Sequence, residues 1–434
     1  MKKILFILYT CCILLFPVSA QQIPSFKAND RIVFLGNSIT EGGHYHSYIW
    51  LYYMTHFPEL PLRIYNGGIG GDCASHMVFR FDSDIKIKKP TYLVCSFGMN
   101  DSGYDGYNKP GYDKYANKQV EYANTEFGKL QQQILADKKI KNVVLLGSSP
   151  YDENVKLEGV ETLHGKNETI KRIIEMQAEV AQKRGWGFVN FNTVMCELNK
   201  EIQQSDSTAT FCGGDRIHPD KDGHMVMAYL FLKAQGLAGK EVAYFHINAT
   251  NRKAMEERNC RITHIKNEND TISFSYLSRS LPFPVDTIPR WGTKGTARDA
   301  VRQIPFMQEM NQEIMKVTDL HGNFRVTIDG TEIGCWDSNE LSKGINLAEI
   351  TCTPQYQQSL SIMYLNEERC AIEKRLRQYM AMQYVFFKHR GLLFADNKAA
   401  LDAAKAERES HYLVKYLYTC LLYTSPSPRD YAAS

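Results

Sequence analysis

Between Arg31 and Gly236, short unbroken apolar runs alternate with stretches of helical periodicity. The runs are RIVFLG, LRIYNGG, TYLVCSFG, NVVLLGSS and WGFVNFN, each rich in Val, Ile, Leu or Phe and each stopping at Gly, Asn or Ser. An unbroken run, unlike an alternating one, predicts a strand buried on both faces. Helical patterns fall at Tyr115–Leu135, Asn167–Gly185 and Asp222–Gly236. Strands alternating with helices predict a parallel α/β sheet built from right-handed crossovers. Ligands of such sheets bind at the carboxyl ends of the strands.

After Gly239 the pattern changes. CRITHIKNENDTISFSYL predicts two strands around an Asn/Asp turn, and NFRVTIDGTEIGCW predicts a hairpin turning at Asp329-Gly330. SRSLPFPVDTIPRWG is a proline-interrupted loop. Thr353–Gly391 predicts one long helix or two joined ones, with Pro354 in the first turn and Gly391 as the stop. At 434 residues the chain suits two domains: 27–239, and a smaller β-then-helical region, 240–419.

The two ends read differently. In MKKILFILYTCCILLFPVSAQQ, two lysines precede a short apolar stretch and small residues at Val18-Ser19-Ala20. This predicts an export signal over residues 1–20, Gln21 as the first mature residue and a periplasmic or extracellular protein. The stretch is too short for a membrane anchor and ends at Pro17. The stretch Cys420–Asp430, CLLYTSPSPRD, is similar to the conceptual translation of a sequencing adapter. Residues 420–434 are therefore expected to be foreign, and the natural protein longer.

Hydrophobic residues make up 44% of the chain and charged ones 23%, ordinary for a globular protein. The net charge is +3, of which Lys2 and Lys3 carry two. That balance gives no pull toward nucleic acid or an anionic membrane. Of 11 cysteines, Cys73, Cys95, Cys196, Cys212, Cys260, Cys335, Cys352 and Cys370 lie outside the two ends. Their spacing is irregular and has no CxxC, so neither a zinc site nor a disulfide scaffold is indicated. Cys196–Cys212 and Cys335–Cys352 are possible bridges, and Cys95 is expected as a buried thiol.

Four polar motifs sit at strand ends or before the last helix of the first region. GNSIT places Ser38 after the first strand, where it can cap a helix or act as a nucleophile. YNGGIGGDCASH places Asn66, Gly68, Gly70 and Gly71 in a loop that can bring backbone close to a ligand, or be a plain turn. SFGMNDSG gives Asn100, whose amide can donate to developing negative charge or shape a turn. CGGDRIHPDKDGH gives Asp215 and His218, spaced so that the carboxylate can orient the imidazole. The competing readings of this last motif are a solvated loop and, more weakly, a metal set of Asp215, His218, Asp220 and His224.

Taken together and in this order, the four motifs resemble those of the SGNH (GDSL-type) hydrolases, over about Asp30–Gly236. The resemblance implies a flavodoxin-like three-layer αβα domain with a five-stranded parallel sheet, and hydrolysis of acyl esters without a cofactor or metal. It implies Ser38 as nucleophile, His218 as base and Asp215 as its orienting carboxylate. The oxyanion hole would comprise the N–H groups of Ser38 and Gly71 and the Asn100 amide, Gly71 being preferred to Gly70 because it precedes Asp72. The family usually has Asp where this chain has Asn37. No GxSxG elbow is present, which argues against the larger α/β-hydrolase fold.

The Tyr- and Gly-rich stretch Ser102–Tyr115 and the residues His44, Tyr45 and His46 suggest an aromatic, polar rim suited to sugar rings. With export, this points to an O-acetyl ester on a small carbohydrate or polysaccharide as substrate. Chains of this two-part layout resemble exported bacterial SGNH esterases. The alternatives are a lipase, lysophospholipase or arylesterase, which predicts a wide apolar groove beside Ser38, and a non-catalytic glycan-binding protein.

Overall fold

The computed structural model describes residues 22–269, 271–289 and 294–424. The expected export signal lies outside the described residues, as does the tail beyond Thr424.

All five predicted strands form: β1 (Arg31–Gly36), β2 (Arg63–Gly68), β3 (Tyr92–Phe97), β4 (Asn142–Gly147) and β5 (Gly187–Asn190). They pair in parallel in the order β2-β1-β3-β4-β5, the flavodoxin-like arrangement. Side chains alternate across the sheet. Ile32 and Phe34 face a core shared with Tyr48, Tyr52, Val226 and Phe231. Val33 and Leu35 face a second core with Met77, Phe127, Leu130 and Ile173. Burial on both faces is why the strands read as unbroken apolar runs.

The helices of this layer are α1 (Ser38–Gly42), α2 (Tyr45–His56), α3 (Ala74–Arg80), α4 (Tyr112–Ala136), α5 (Lys166–Arg184), α6 (Phe191–Ile202) and α7 (Lys221–Ala234). The strand order reverses between β1 and β3, and Ser38 follows β1 at that switch point.

The second region opens with β6 (Ala243–Asn248), β7 (Lys253–Arg258), and the predicted pair β8 (Cys260–Glu268) and β9 (Thr271–Ser278). Short helices α8 (Ala297–Val301) and α9 (Phe306–Met310) lead to β10 (Glu313–Thr318) and to the predicted hairpin of β11 (Asn323–Ile328) and β12 (Thr331–Asp337). Then α10 (Ser338–Lys343) and β13 (Ile345–Asn346) complete a four-stranded sheet ordered β13-β10-β6-β7. The 28-residue helix α11 (Pro354–Ala381) follows. It has Thr353 as N-cap and Pro354 in its first turn, and one π turn and one 3-10 turn carry it to Gly391 at φ 68°. Helices α12 (Lys398–Ala406) and α13 (Tyr412–Thr424) close the described chain.

The two possible bridges do not form, and these eight cysteines are free thiols. Cys95 is buried, as expected. Cys212 accepts a hydrogen bond from Asn199, and Cys196 donates one to Asn192. Cys352 lies against the Glu332 carbonyl. That carbonyl is three residues from Cys335 along β12, roughly 10 Å of extended strand and too far for a bridge.

Helix α11 lies across the first region and meets it through a polar stripe. Asn366 donates to the Ser47 hydroxyl at 2.8 Å. The Asn66 N–H donates to Glu373 at 2.8 Å. Arg377 donates to the Gly68 carbonyl at 2.9 Å and to both oxygens of Asp84. These positions recur at helical spacing on one face, while Leu365, Ile372 and Leu376 on another face are exposed.

Candidate active site

The first turn of α1 is capped by Asn37, whose side-chain oxygen accepts the Ile39 N–H at 3.0 Å. The capping role that Ser38 could have filled thus falls to its neighbour. An amide oxygen serves there as a carboxylate would, so Asn37 builds this turn without an added charge. Ser38 is left as the first helical residue, with its Oγ 2.8 Å from His218 Nε2.

His218 Nδ1 lies 2.5 Å from Asp215 Oδ2. A carboxylate can only accept, so this contact places the ring proton on Nδ1 and leaves Nε2 as the acceptor for the Ser38 hydroxyl. The other oxygen of Asp215 accepts the N–H groups of Ile217 at 3.0 Å and His218 at 2.9 Å. Partial burial raises the Asp215 pKa, but the His218 contacts and these two N–H bonds outweigh it, and the carboxyl is held below its usual range.

The turn carrying the pair is held in an unusual backbone shape. Arg216, between them, has φ 69°, and its buried guanidinium donates to the carbonyls of Asp152 and Val155. Gly213 has φ 71°, and a Cβ there would lie 1.9 Å from the His218 carbonyl oxygen.

The glycine loop after β2 lies beside α1. A Cβ on Gly68 would sit 2.2 Å from the Glu41 nitrogen, so only glycine permits this approach. Glu41 in turn accepts the Gly70 N–H. Burial raises the Glu41 pKa, partly offset by that bond and by the charges of Arg377 and Lys374. The Gly71 N–H has no acceptor among the described residues, and Gly71 has φ 81°. The Asn100 Nδ2 donates to the Asp72 carbonyl at 3.0 Å, which ties the loop after β3 to the loop after β2.

Ser38, Glu41, Asp215, His218, Asp220 and Lys374, with Gly42 and Gly214, line an open cleft of ≈ 480 Å³. Lys374 comes from α11, so the second region reaches the site. No signal in the sequence joins positions that far apart. Glu41 was within reach of sequence reasoning, one turn after Ser38.

The expected aromatic rim is built only in part. Tyr45 and His46 are 1% exposed and belong to the core. Tyr107 is buried, with its hydroxyl on the Ser102 carbonyl, and Tyr104 packs over the buried Lys166 ammonium. Tyr107 faces inward because the loop after β3 folds over a buried lysine, whereas Tyr104 is half-buried and Tyr112 is exposed. His44 alone of the first group stays partly open, 3.9 Å from Glu367 of α11.

The metal alternative for the last motif gains nothing. His224 is buried and stacked on Tyr45, and among the described residues no three His, Cys, Asp or Glu side chains gather as a metal centre requires. No helix among them is long and apolar enough to cross a membrane.

Residues 34–226 match the GDSL-like Lipase/Acylhydrolase family, and residues 360–424 match the Diltiazem deacetylase C-terminal helical domain. A solved structure described as a gut microbial diltiazem-metabolizing enzyme is 48% identical, with a TM-score of 0.90 over 92% of this chain and 91% of its own. An acetylxylan esterase of Geobacillus stearothermophilus is 22% identical over 224 residues, 48% of this chain and 95% of that relative. The chain belongs to the GDSL-like lipase/acylhydrolase family and is an SGNH-type carboxylic ester hydrolase with a C-terminal helical domain.

Proposed function

We propose that this chain is an exported serine O-acetylesterase in which Ser38, His218 and Asp215 form the catalytic triad. The observation that carries the proposal is the continuous hydrogen-bonded chain from Ser38 Oγ through His218 to Asp215. Ser38 Oγ attacks the acetyl carbonyl carbon as His218 Nε2 takes the hydroxyl proton. The carbonyl oxygen becomes an oxyanion facing the Ser38 and Gly71 N–H groups and the Asn100 amide. Collapse of this intermediate breaks the ester C–O bond, and His218 returns the proton to the departing alcohol. Water, activated by the same imidazole, then releases acetate from acetyl-Ser38. Asp215, ionised and doubly held by its own loop, keeps the imidazole in the required tautomer.

For the carrier of the acetyl group we propose a polar, polyhydroxylated molecule such as a small carbohydrate or a polysaccharide end. The residues lining the cleft, among which there is no Val, Leu, Ile, Met, Phe, Tyr or Trp, support this over a lipid, which would need an apolar groove beside Ser38. The acetylxylan esterase relative supports it as well. The 48% identity to a diltiazem-metabolizing enzyme favours a second reading, removal of the acetyl group of diltiazem.

Acetate release from p-nitrophenyl acetate, acetylated xylo-oligosaccharides and diltiazem tests both readings. Ser38→Ala is expected to lower kcat by roughly 10⁴-fold or more. Wild-type turnover by Ser38→Ala would overturn the mechanism. Release from diltiazem but from no sugar ester would overturn the carbohydrate assignment.

A further inference from the structure

The loop after β3 holds a set of contacts that the triad does not explain. Lys166, the first residue of α5, is 0% exposed. Its ammonium donates to the Met99 carbonyl at 2.9 Å, the Ser102 hydroxyl at 2.6 Å and the Gly103 carbonyl at 2.6 Å. It thus grips the chain on both sides of Asn100. The same ammonium lies 3.8 Å from the centroid of the Tyr104 ring. The Tyr104 hydroxyl donates to Asn100 Oδ1 at 2.8 Å.

A buried cation is costly, and burial moves Lys166 down to about 7. The fold nevertheless keeps a lysine here, and all three of its bonds fix one turn of loop.

The Asn100 amide is therefore held at both ends. Its oxygen accepts from Tyr104, and one N–H of Nδ2 goes to the Asp72 carbonyl. The remaining N–H of Nδ2 is the one that can meet an oxyanion. A hydrogen bond donated to the oxygen of an amide withdraws electron density and strengthens its N–H as a donor.

We propose that Tyr104 is a positioning residue for catalysis, and that its hydroxyl, seated on the Lys166 clamp, orients and polarises the Asn100 amide as an oxyanion donor. The inference rests on the proposed esterase mechanism. It concerns a residue whose hydroxyl bonds Asn100 and no member of the triad.

Tyr104→Phe tests it, because the variant keeps the ring on Lys166 and removes only the donor to Asn100. With p-nitrophenyl acetate, kcat is expected to fall about five- to tenfold, with KM within about twofold and the melting temperature unchanged. In an Asn100→Ala background the same substitution is expected to have no effect, since its target is gone. An unchanged kcat in Tyr104→Phe, or an equal loss in both backgrounds, would overturn the inference. Fluorophosphonate labelling of Ser38 separates the two levels. Absence of labelling, together with full activity of Ser38→Ala, would sink the mechanism itself. Labelled, Ser38-dependent enzyme with an indifferent Tyr104→Phe would sink the positioning role alone.

Discussion

Arg377 of α11 grips both carboxylate oxygens of Asp84, at 2.8 and 2.7 Å, across 293 residues of sequence. Neither side chain is more than 3% exposed. Asp84 also takes Arg80 at 2.5 Å and Lys88 at 2.5 Å, and these cations outweigh the effect of burial and hold its carboxyl far below the usual range. The second region is therefore pinned to the first by a buried, hydrogen-bonded charge cluster in addition to apolar contact.

Arg377→Met is expected to destabilise the fold by about 3 kcal/mol, at the low end for a broken buried pair because Arg80 and Lys88 remain. Arg377→Lys should recover less than half of this, since an ammonium cannot bridge both oxygens and reach the Gly68 carbonyl as well. Urea unfolding followed by circular dichroism measures both. A loss under about 0.5 kcal/mol for Arg377→Met would place the pair among contacts of no consequence.

Asp215→Asn keeps the size of the side chain but offers the imidazole the wrong tautomer. Its kcat is expected to fall roughly 10³- to 10⁴-fold with little change in KM. A loss of less than tenfold in p-nitrophenyl acetate turnover would mean that the backbone of the loop, and not the carboxylate, sets the ring.

At Gly213 the cost is steric. An alanine there meets the His218 carbonyl oxygen at 1.9 Å and must hold φ 71°. Gly213→Ala is expected to lower kcat at least about tenfold by shifting the His218 turn, with a stability loss of about 1–3 kcal/mol. Wild-type kcat in this variant would show that the loop relaxes without moving the imidazole.

Lys166 gives a pH dependence with a defined sign. Burial lowers its pKa to about 7 in the folded protein, against about 10.4 for a free lysine. Between these values the unfolded chain binds a proton that the folded chain has released. The stability contributed by this site therefore rises with pH from about 7 to about 10. The stability of the wild type relative to Lys166→Met is expected to increase between pH 7 and pH 9.5 in urea titrations. A constant or shrinking difference would contradict the assignment.

The strands of the first region were legible because burial on both faces leaves the same unbroken apolar mark in each. The motifs around Ser38 and Asn100 were legible because each follows a strand, and that of His218 because it precedes the last helix of the region. Helix α2 was not, since YHSYIWLYYMTH is buried on nearly all sides and shows no polar stripe to reveal its period. Of the tyrosines after Asn100, all assigned to a surface, Tyr112 is exposed and Tyr107 is buried, and only the position of Lys166 accounts for the latter. Lys374, Glu373 and Arg377 act on the first region from a distant helix, and no local pattern encodes such a meeting.

One consequence of α11 reaches beyond the active site. Strand β2 ends the order β2-β1-β3-β4-β5, so its outer side has no partner strand. The outward Asn66 N–H and Gly68 carbonyl, two residues apart, are taken by Glu373 and Arg377. The helix thus shields a sheet edge that would otherwise template the strand of another copy. A chain cut before α11 would keep the whole triad and leave that edge open to pairing.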